Sequence, residues 1–215
     1  MFYNTRPESL SLDQNESQHC AKVLRKRIGD TITLFDGIGK SYHCVLTKIG
    51  KICEYEIKET IIHSAQAFPI QIAVAPPKKS ARFDFLIEKL VELGVNEIYL
   101  LETQNTERSR INGDRLQKQV ITACKQAKQF YIPKIHLASK LKDIASLQTP
   151  IYVCHCNEDE QKHTLTDLED KPNGVGLRGP EGDFSKVEIK RGKFSTTWEG
   201  EGRYKRYEYS EDGIS

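Results

Sequence analysis

Near the carboxyl end of the sequence, Gly179-Pro180-Glu181-Gly182-Asp183-Phe184-Ser185 follows a short apolar run, Gly174-Val175-Gly176-Leu177, and precedes Lys186-Val187-Glu188. A strand, a tight glycine turn and a helix start in that order bring bare backbone close to a ligand and aim the first helical amides at it as donors. Such a loop can grip a small polar cofactor; an ordinary turn is the other reading of the same string. Ser185 and Glu188 stand at capping-box spacing, which is a structural role.

Cations form the second candidate set. Lys22, Arg25, Lys26 and Arg27 make one cluster, Lys78, Lys79 and Arg82 another, and Arg108, Arg110 and Arg115 a third. Net charge is only +2, so affinity for nucleic acid has to come from such local groups rather than from the overall field. Glu88 and Glu92 flank Lys89 on one helix face and read as a surface ion-pair network. Cys154-His155-Cys156, with His163 nearby, lacks a second cysteine pair at zinc spacing, so the reading is strand-end thiols and no metal. No general base is evident.

The 215 residues can hold one large domain or two small ones. No run approaches the ~18 to 20 apolar residues that span a bilayer, and the first residues carry no hydrophobic signal core, which predicts a cytoplasmic protein without membrane contact. The six cysteines are scattered without a disulfide framework, as suits a reducing compartment.

Two kinds of periodicity must position these residues. From Thr31 to Ile62, short strand-like runs alternate with turns at Asp36-Gly37-Ile38-Gly39 and Ile49-Gly50-Lys51, which predicts a small antiparallel meander or barrel. A short helix over Glu16 to Arg25 precedes it, and Phe68-Pro69 marks a boundary, giving domains 1–68 and 69–215. Beyond Pro69, Ile70 to Ala75 is a buried-strand run. Ser80 is the expected cap of a helix bearing Phe83, Leu86, Ile87 and Leu90, which Gly94 closes before a strand at Glu97 to Leu101. A helix over Asp114 to Phe130, a short one over Leu141 to Leu147, and strands at Ile151 to Cys156 and Val175 to Leu177 complete a parallel α/β sheet.

The ordered set His19-x-x-x-Val23-Leu24-Arg25, Asp36-Gly37-x-Gly39, Lys79-x-x-Arg82, Glu88-Lys89-x-x-Glu92-Leu93-Gly94, Thr106-Glu107-Arg108-Ser109 and Gly179-Pro180-Glu181-Gly182 resembles the RsmE family. These are SPOUT-class methyltransferases that act on a uridine N3 in 16S ribosomal RNA of the small subunit. The resemblance implies an N-terminal PUA-like barrel, a C-terminal α/β domain with a trefoil knot, S-adenosyl-L-methionine as cofactor and a homodimer. By the same match, Gly179, Pro180, Glu181 and Gly182 line the cofactor pocket, with Leu177 and His155 beside it. His19, Arg25, Lys79, Arg82 and Arg108 face RNA. Arg108 either orients the uridine and steadies charge on its carbonyl oxygens, as the catalytic candidate, or contacts a phosphate. His155 has the alternative of a half-buried strand histidine.

After Lys190 the match stops. The tail is polar, glycine-broken and aperiodic, and is expected to supply neither a buried strand nor an amphipathic helix. A shifted reading frame, a catalytically inactive RNA-binding descendant, and a basic-aromatic extension through Arg203, Tyr204, Lys205, Arg206, Tyr207 and Tyr209 are its three readings. A SPOUT enzyme acting on another RNA is a further alternative. Arg178 replaces an apolar family residue, a costly change if buried, and Gln129 stands where many relatives carry a cation.

Overall fold

Alternation of apolar and polar side chains between Thr31 and Ile62 is the pattern of strands with one face inward, and the computed structural model forms them. It describes residues 1–67, 69–103, 106, 111–147, 149–154, 174–179, 194–196 and 206–209, with backbone alone for 153–154, 194–196 and 206–209. These divide into two units: Met1–Gln66 with Gln117–Ile132, and Ala67–Leu116 with Pro133–Ser215.

In the first unit, β1 (Phe2–Tyr3), β2 (Thr31–Phe35), β3 (Lys40–Lys48) and β4 (Glu54–Ile62) form a sheet in that order. β1 runs parallel to β2 with Phe2 opposite Leu34, and the other pairs are antiparallel. Ile32, Leu34, Cys44, Leu46 and Tyr55 point inward with Phe2, Leu12, Cys20 and Cys53 to make its core. Truncating a fully buried member such as Leu34 to alanine costs about 2–5 kcal/mol. The buried Tyr55 hydroxyl is satisfied: it donates to Pro7 O at 2.8 Å and accepts from Asn4 Nδ2 at 2.9 Å. Burial raises the Cys20 and Cys44 thiols to about 11 and Cys124 to about 12, so all three are inert core groups.

The helix expected over Glu16 to Arg25 is interrupted. α1 (Gln14–Gln18) is capped by Asp13, whose Oδ1 accepts from Glu16 N at 2.7 Å. The chain then widens into a π-turn over His19–Val23 and reaches Arg25 at φ +50°, a left-handed residue no helix accommodates.

Residues 117–132 tie into this unit through the β2–β3 turn. Asp36 Oδ1 accepts from the amides of Ile38 and Lys40 at 2.9 and 3.0 Å. Gly39, at φ +105°, passes so close to Tyr131 that a Cβ there would lie 2.2 Å from the ring. Tyr131 in turn donates to His63 O at 2.8 Å, and the His63 ring stacks on Phe130 at 3.6 Å.

In the second unit, β5 (Ile70–Val74), β6 (Glu97–Leu101), β7 (Lys134–Ser139), β8 (Ile151–Cys154) and β9 (Gly174–Arg178) are parallel. Among the described residues the order is β10-β11-β8-β9-β5-β6-β7. β10 (Phe194–Thr196) and β11 (Arg206–Tyr209) pair antiparallel, and β11 adds antiparallel to the edge of β8. The tail therefore contributes two short strands, β10 at the edge and β11 between it and β8, through backbone pairing that does not need the apolar periodicity the tail lacks.

Three further helices are α2 (Ser80–Glu92), α3 (Gly113–Ala127) and α4 (Leu141–Ala145). α2 buries Phe83, Ile87, Leu90 and Val91 at helical spacing. Its N-cap is Lys79 rather than Ser80, which is already helical. Gly94, at φ +76°, closes it as expected, donating to Val91 O at 2.9 Å. α3 stops at Ala127, short of Phe130, because Lys128 turns left-handed at φ +54°. No helix among the described residues is long and apolar enough to cross a membrane. The Ser185–Glu188 pair expected as a capping box lies outside the described residues, as do residues 180–193, on which the expectation of a trefoil knot depends.

Candidate functional site

Parallel pairing sends the carboxyl ends of β8, β9, β5 and β6 to one edge of the sheet, where loops rather than strands meet a ligand. The register sets Cys154, Arg178 and Val74 at one level. Ala75 N–H donates to Arg178 O at 3.1 Å and closes the Val74–Arg178 pair; Gly179, next in sequence, is half-buried.

The floor of this edge is apolar. Ala75, Leu101 and Leu177 are all at most 3 % exposed and pack in one cluster with Ala73, Tyr99 and Val175. Leu177 thus spends its side chain on the core, leaving its backbone for any contact at the edge. Arg178 is exposed, so its charge stays in water and the desolvation cost that a buried arginine would carry does not arise.

Lys79 and Arg82 reach the edge through the β5–α2 connection. Pro76 and Pro77 exclude further helix or strand there, and Lys79 sits in extended backbone at φ −73°, ψ 123°, with its carbonyl accepting from Arg82 N and Phe83 N at 3.1 Å each. Both side chains are exposed. Arg115, from the third cluster, joins them: its Nη2 donates to Asp84 Oδ2 at 2.9 Å. Asn112 Oδ1 caps α3 by accepting from Arg115 N at 2.9 Å.

The β6 connection begins with a threonine clasp. Thr103 N donates to Thr106 Oγ1 at 2.9 Å, and the two hydroxyls lie 2.8 Å apart. Arg108, His155, Pro180, Glu181 and Gly182 lie outside the described residues. His19 and Arg25 belong to the first unit and are exposed; the His19 ring meets Phe2 edge-on at 5.9 Å.

One polar constellation escaped sequence reasoning. Glu97 Oε2 accepts from Tyr99 Oη at 2.9 Å and lies 2.7 Å from His136 Nε2, while the Tyr99 and His136 rings stack at 4.2 Å. Burial would raise the Glu97 carboxyl, but the hydrogen bonds from His136 and Tyr99, with the positive charge of His136 and Lys134, outweigh it and hold the group below its usual value. The Tyr99 hydroxyl is pushed to about 12, by burial first and then by Glu97. Glu97-x-Tyr99 at period two is the one signal the sequence carries, and the strand bearing His136 leaves no comparable pattern. Among the described residues no group of three or more His, Cys, Asp or Glu could hold a metal.

Comparison with known proteins bears on the same segments. The profile of an RNA methyltransferase domain matches residues 64–195, and that of an RNA methyltransferase PUA domain matches 12–52. Ribosomal RNA small subunit methyltransferase E 1 of Borreliella burgdorferi is 26% identical over 86% of this chain and 81% of its own length. A probable rRNA-methyltransferase from Porphyromonas gingivalis superposes with a TM-score of 0.82 at 29% identity, covering 89% of this chain and 84% of that one. Ribosomal RNA small subunit methyltransferase E from Neisseria gonorrhoeae, bound to S-adenosyl methionine, gives 0.76 at 26%, covering 89% and 83%. With a catalytic-domain profile over more than half of the sequence and a PUA profile ahead of it, the chain belongs to the RsmE family of RNA methyltransferases.

Proposed function

We propose that this chain transfers a methyl group from S-adenosyl-L-methionine to N3 of a uridine in 16S ribosomal RNA of the small subunit. One observation carries the reading: β9 lies between β8 and β5, so Gly179, the first residue of the glycine loop, leaves the sheet beside the connection that bears Lys79 and Arg82. The relatives support the substrate, being small-subunit ribosomal RNA methyltransferases by name, and the Neisseria protein is bound to S-adenosyl methionine.

The residues present fit that cofactor. Buried Ala75, Leu101 and Leu177 form an apolar floor, and Gly179 adds backbone without a side chain, a combination suited to a nucleoside with polar edges. Gly179, Pro180, Glu181 and Gly182 would hold it, with Leu177 and His155 alongside. When bound, it supplies a sulfonium methyl. The protein's own task is then orientation, since a nitrogen in line with the methyl needs little else than loss of its proton. Lys79 and Arg82 hold phosphates flanking the target. Arg108 donates its planar fork to the uridine carbonyl oxygens, where charge grows as N3 loses its proton. His19 and Arg25 hold RNA on the first unit.

In this reading, residues 1–68 are a PUA-like RNA-holding domain, and residues 69–215 a SPOUT domain with a trefoil knot that works as a cytoplasmic homodimer. Calorimetric titration with S-adenosylmethionine, followed by methyl transfer to 16S ribosomal RNA and nucleoside analysis, tests it. Cofactor binding with 3-methyluridine in the product supports the proposal. Methylation of transfer RNA alone would remove the substrate assignment. A folded protein that binds RNA but no cofactor would make it a non-catalytic homologue.

A further inference from the structure

Residues 19–28 of the first unit expose large apolar side chains for no reason the fold supplies. Val23 is 64%, Leu24 44% and Ile28 66% exposed, although the core of the same unit lies a few residues away in Phe2, Leu12 and Cys20. Three such residues within six positions are more than scattered surface leucines and isoleucines account for.

The segment is braced. Leu24 N donates to His19 O at 2.9 Å and Lys26 N to Cys20 O at 3.1 Å, which fixes both ends of the π-turn. Arg27 N donates to Asp30 Oδ2 at 2.9 Å, Lys26 Nζ to Thr31 O at 3.2 Å, and Gly29 N to Leu46 O at 2.8 Å. Arg25 is held at φ +50°, a conformation that costs an arginine free energy and persists only where the surroundings impose it. A loop that is pinned, strained and apolar at its surface is preorganised for a partner.

The charges on the same loop select that partner. Lys22, Arg25 and Arg27 are exposed between the apolar side chains, and the His19 ring is held edge-on by Phe2. Cations alone suit any polyanion. Apolar side chains interleaved with them suit a strand whose bases are unstacked, because a base face covers an aliphatic side chain while its phosphate meets the cation. Duplex RNA presents no base face.

We propose that this loop is a rigid wedge that places Val23 and Ile28 against unstacked bases of single-stranded RNA while Lys22, Arg25 and Arg27 meet the adjoining phosphates. The inference rests on the assignment of RNA as the substrate and deepens it: the first unit reads an open strand rather than a helix.

The test uses the full-length chain, a single-stranded RNA oligomer and its duplex form, with affinity measured across a salt series. The parent should favour the single strand. Val23→Gln together with Ile28→Gln, a pair at exposed positions whose fold is checked by melting, should weaken single-strand binding about tenfold without changing the salt dependence. Arg27→Ala should instead lower the slope of log affinity against log salt by about 0.7, the value for one phosphate contact on a single strand. Glutamine variants that bind like the parent, or a parent that binds duplex equally well, would overturn the wedge while leaving the RNA assignment intact. A parent that binds neither form would overturn both.

Discussion

Arg115 donates to Asp84 at 2.9 Å and so ties the opening turn of α3 to the second turn of α2, the helix whose start carries Lys79 and Arg82. The pair is half in solvent, with side chains 62% and 30% exposed, and pairs of this kind contribute at most about 1 kcal/mol to stability. Its value lies in where it holds the α2 start. Asp84→Asn should therefore leave the melting temperature nearly unchanged and lower kcat/KM for RNA about tenfold through misplacement of Lys79 and Arg82. A fall in melting temperature with unaltered kinetics would reduce the pair to a structural contact.

The Glu97 carboxylate gives a pH-dependent contribution whose sign is set. Its folded value lies below the usual 4.5, so the charged form is favoured by folding. That stability is present above pH 4.5 and is lost as pH falls through the folded value. Thermal melting across pH 3 to 7, roughly the range in which carboxylates titrate, should show a steep acid loss in the parent. Glu97→Gln should flatten the part of that loss belonging to this group, and an unchanged acid limb would mean other carboxylates dominate.

At Gly39 the close approach of Tyr131 makes a sharp contrast possible. Gly39→Ala would put a Cβ 2.2 Å from that ring at φ +105°, combining overlap with a disfavoured backbone. Overpacking alone costs about 1–3 kcal/mol, so denaturant unfolding should detect a clear loss. Gly50→Ala meets nothing nearer than 3.7 Å and should lie within about 0.5 kcal/mol of the parent.

Removing residues 194–215 would strip β11 from β8 and leave the edge of the parallel sheet unpaired. Unpaired edges template association, so the truncated protein should aggregate more readily in light scattering at equal concentration. Equal solubility would show that the tail strands are dispensable to that edge.

Much of this was legible in residue order. Thr31–Phe35 is legible to the residue because apolar alternation ends at Asp36-Gly37, and α2 is legible to within one residue at its start because Phe83, Leu86, Ile87 and Leu90 repeat at helical spacing ahead of Gly94. β7 was not, since Lys134–Ser139 is largely half-buried or exposed and Ala138 at φ +53° breaks its alternation. The helix at Glu16 was read too long because nothing in its composition announces that the backbone widens at His19. Of the candidate site, the glycine turn and the cations were visible as motifs. That Asp84 recruits Arg115 was not, because a pair formed across thirty-one residues leaves no local pattern.

Residues 117–132 cluster with Met1–Gln66 and not with the segments that flank them in sequence. A ribosome therefore releases the whole β1–β4 sheet long before it makes the Tyr131 that seats beside Gly39. Until then the β2–β3 turn waits with its neighbour unmade. The amino-terminal unit is finished only after the first βαβ of the next has been synthesised, and a gene fragment ending at the linker would encode a sheet without its clasp.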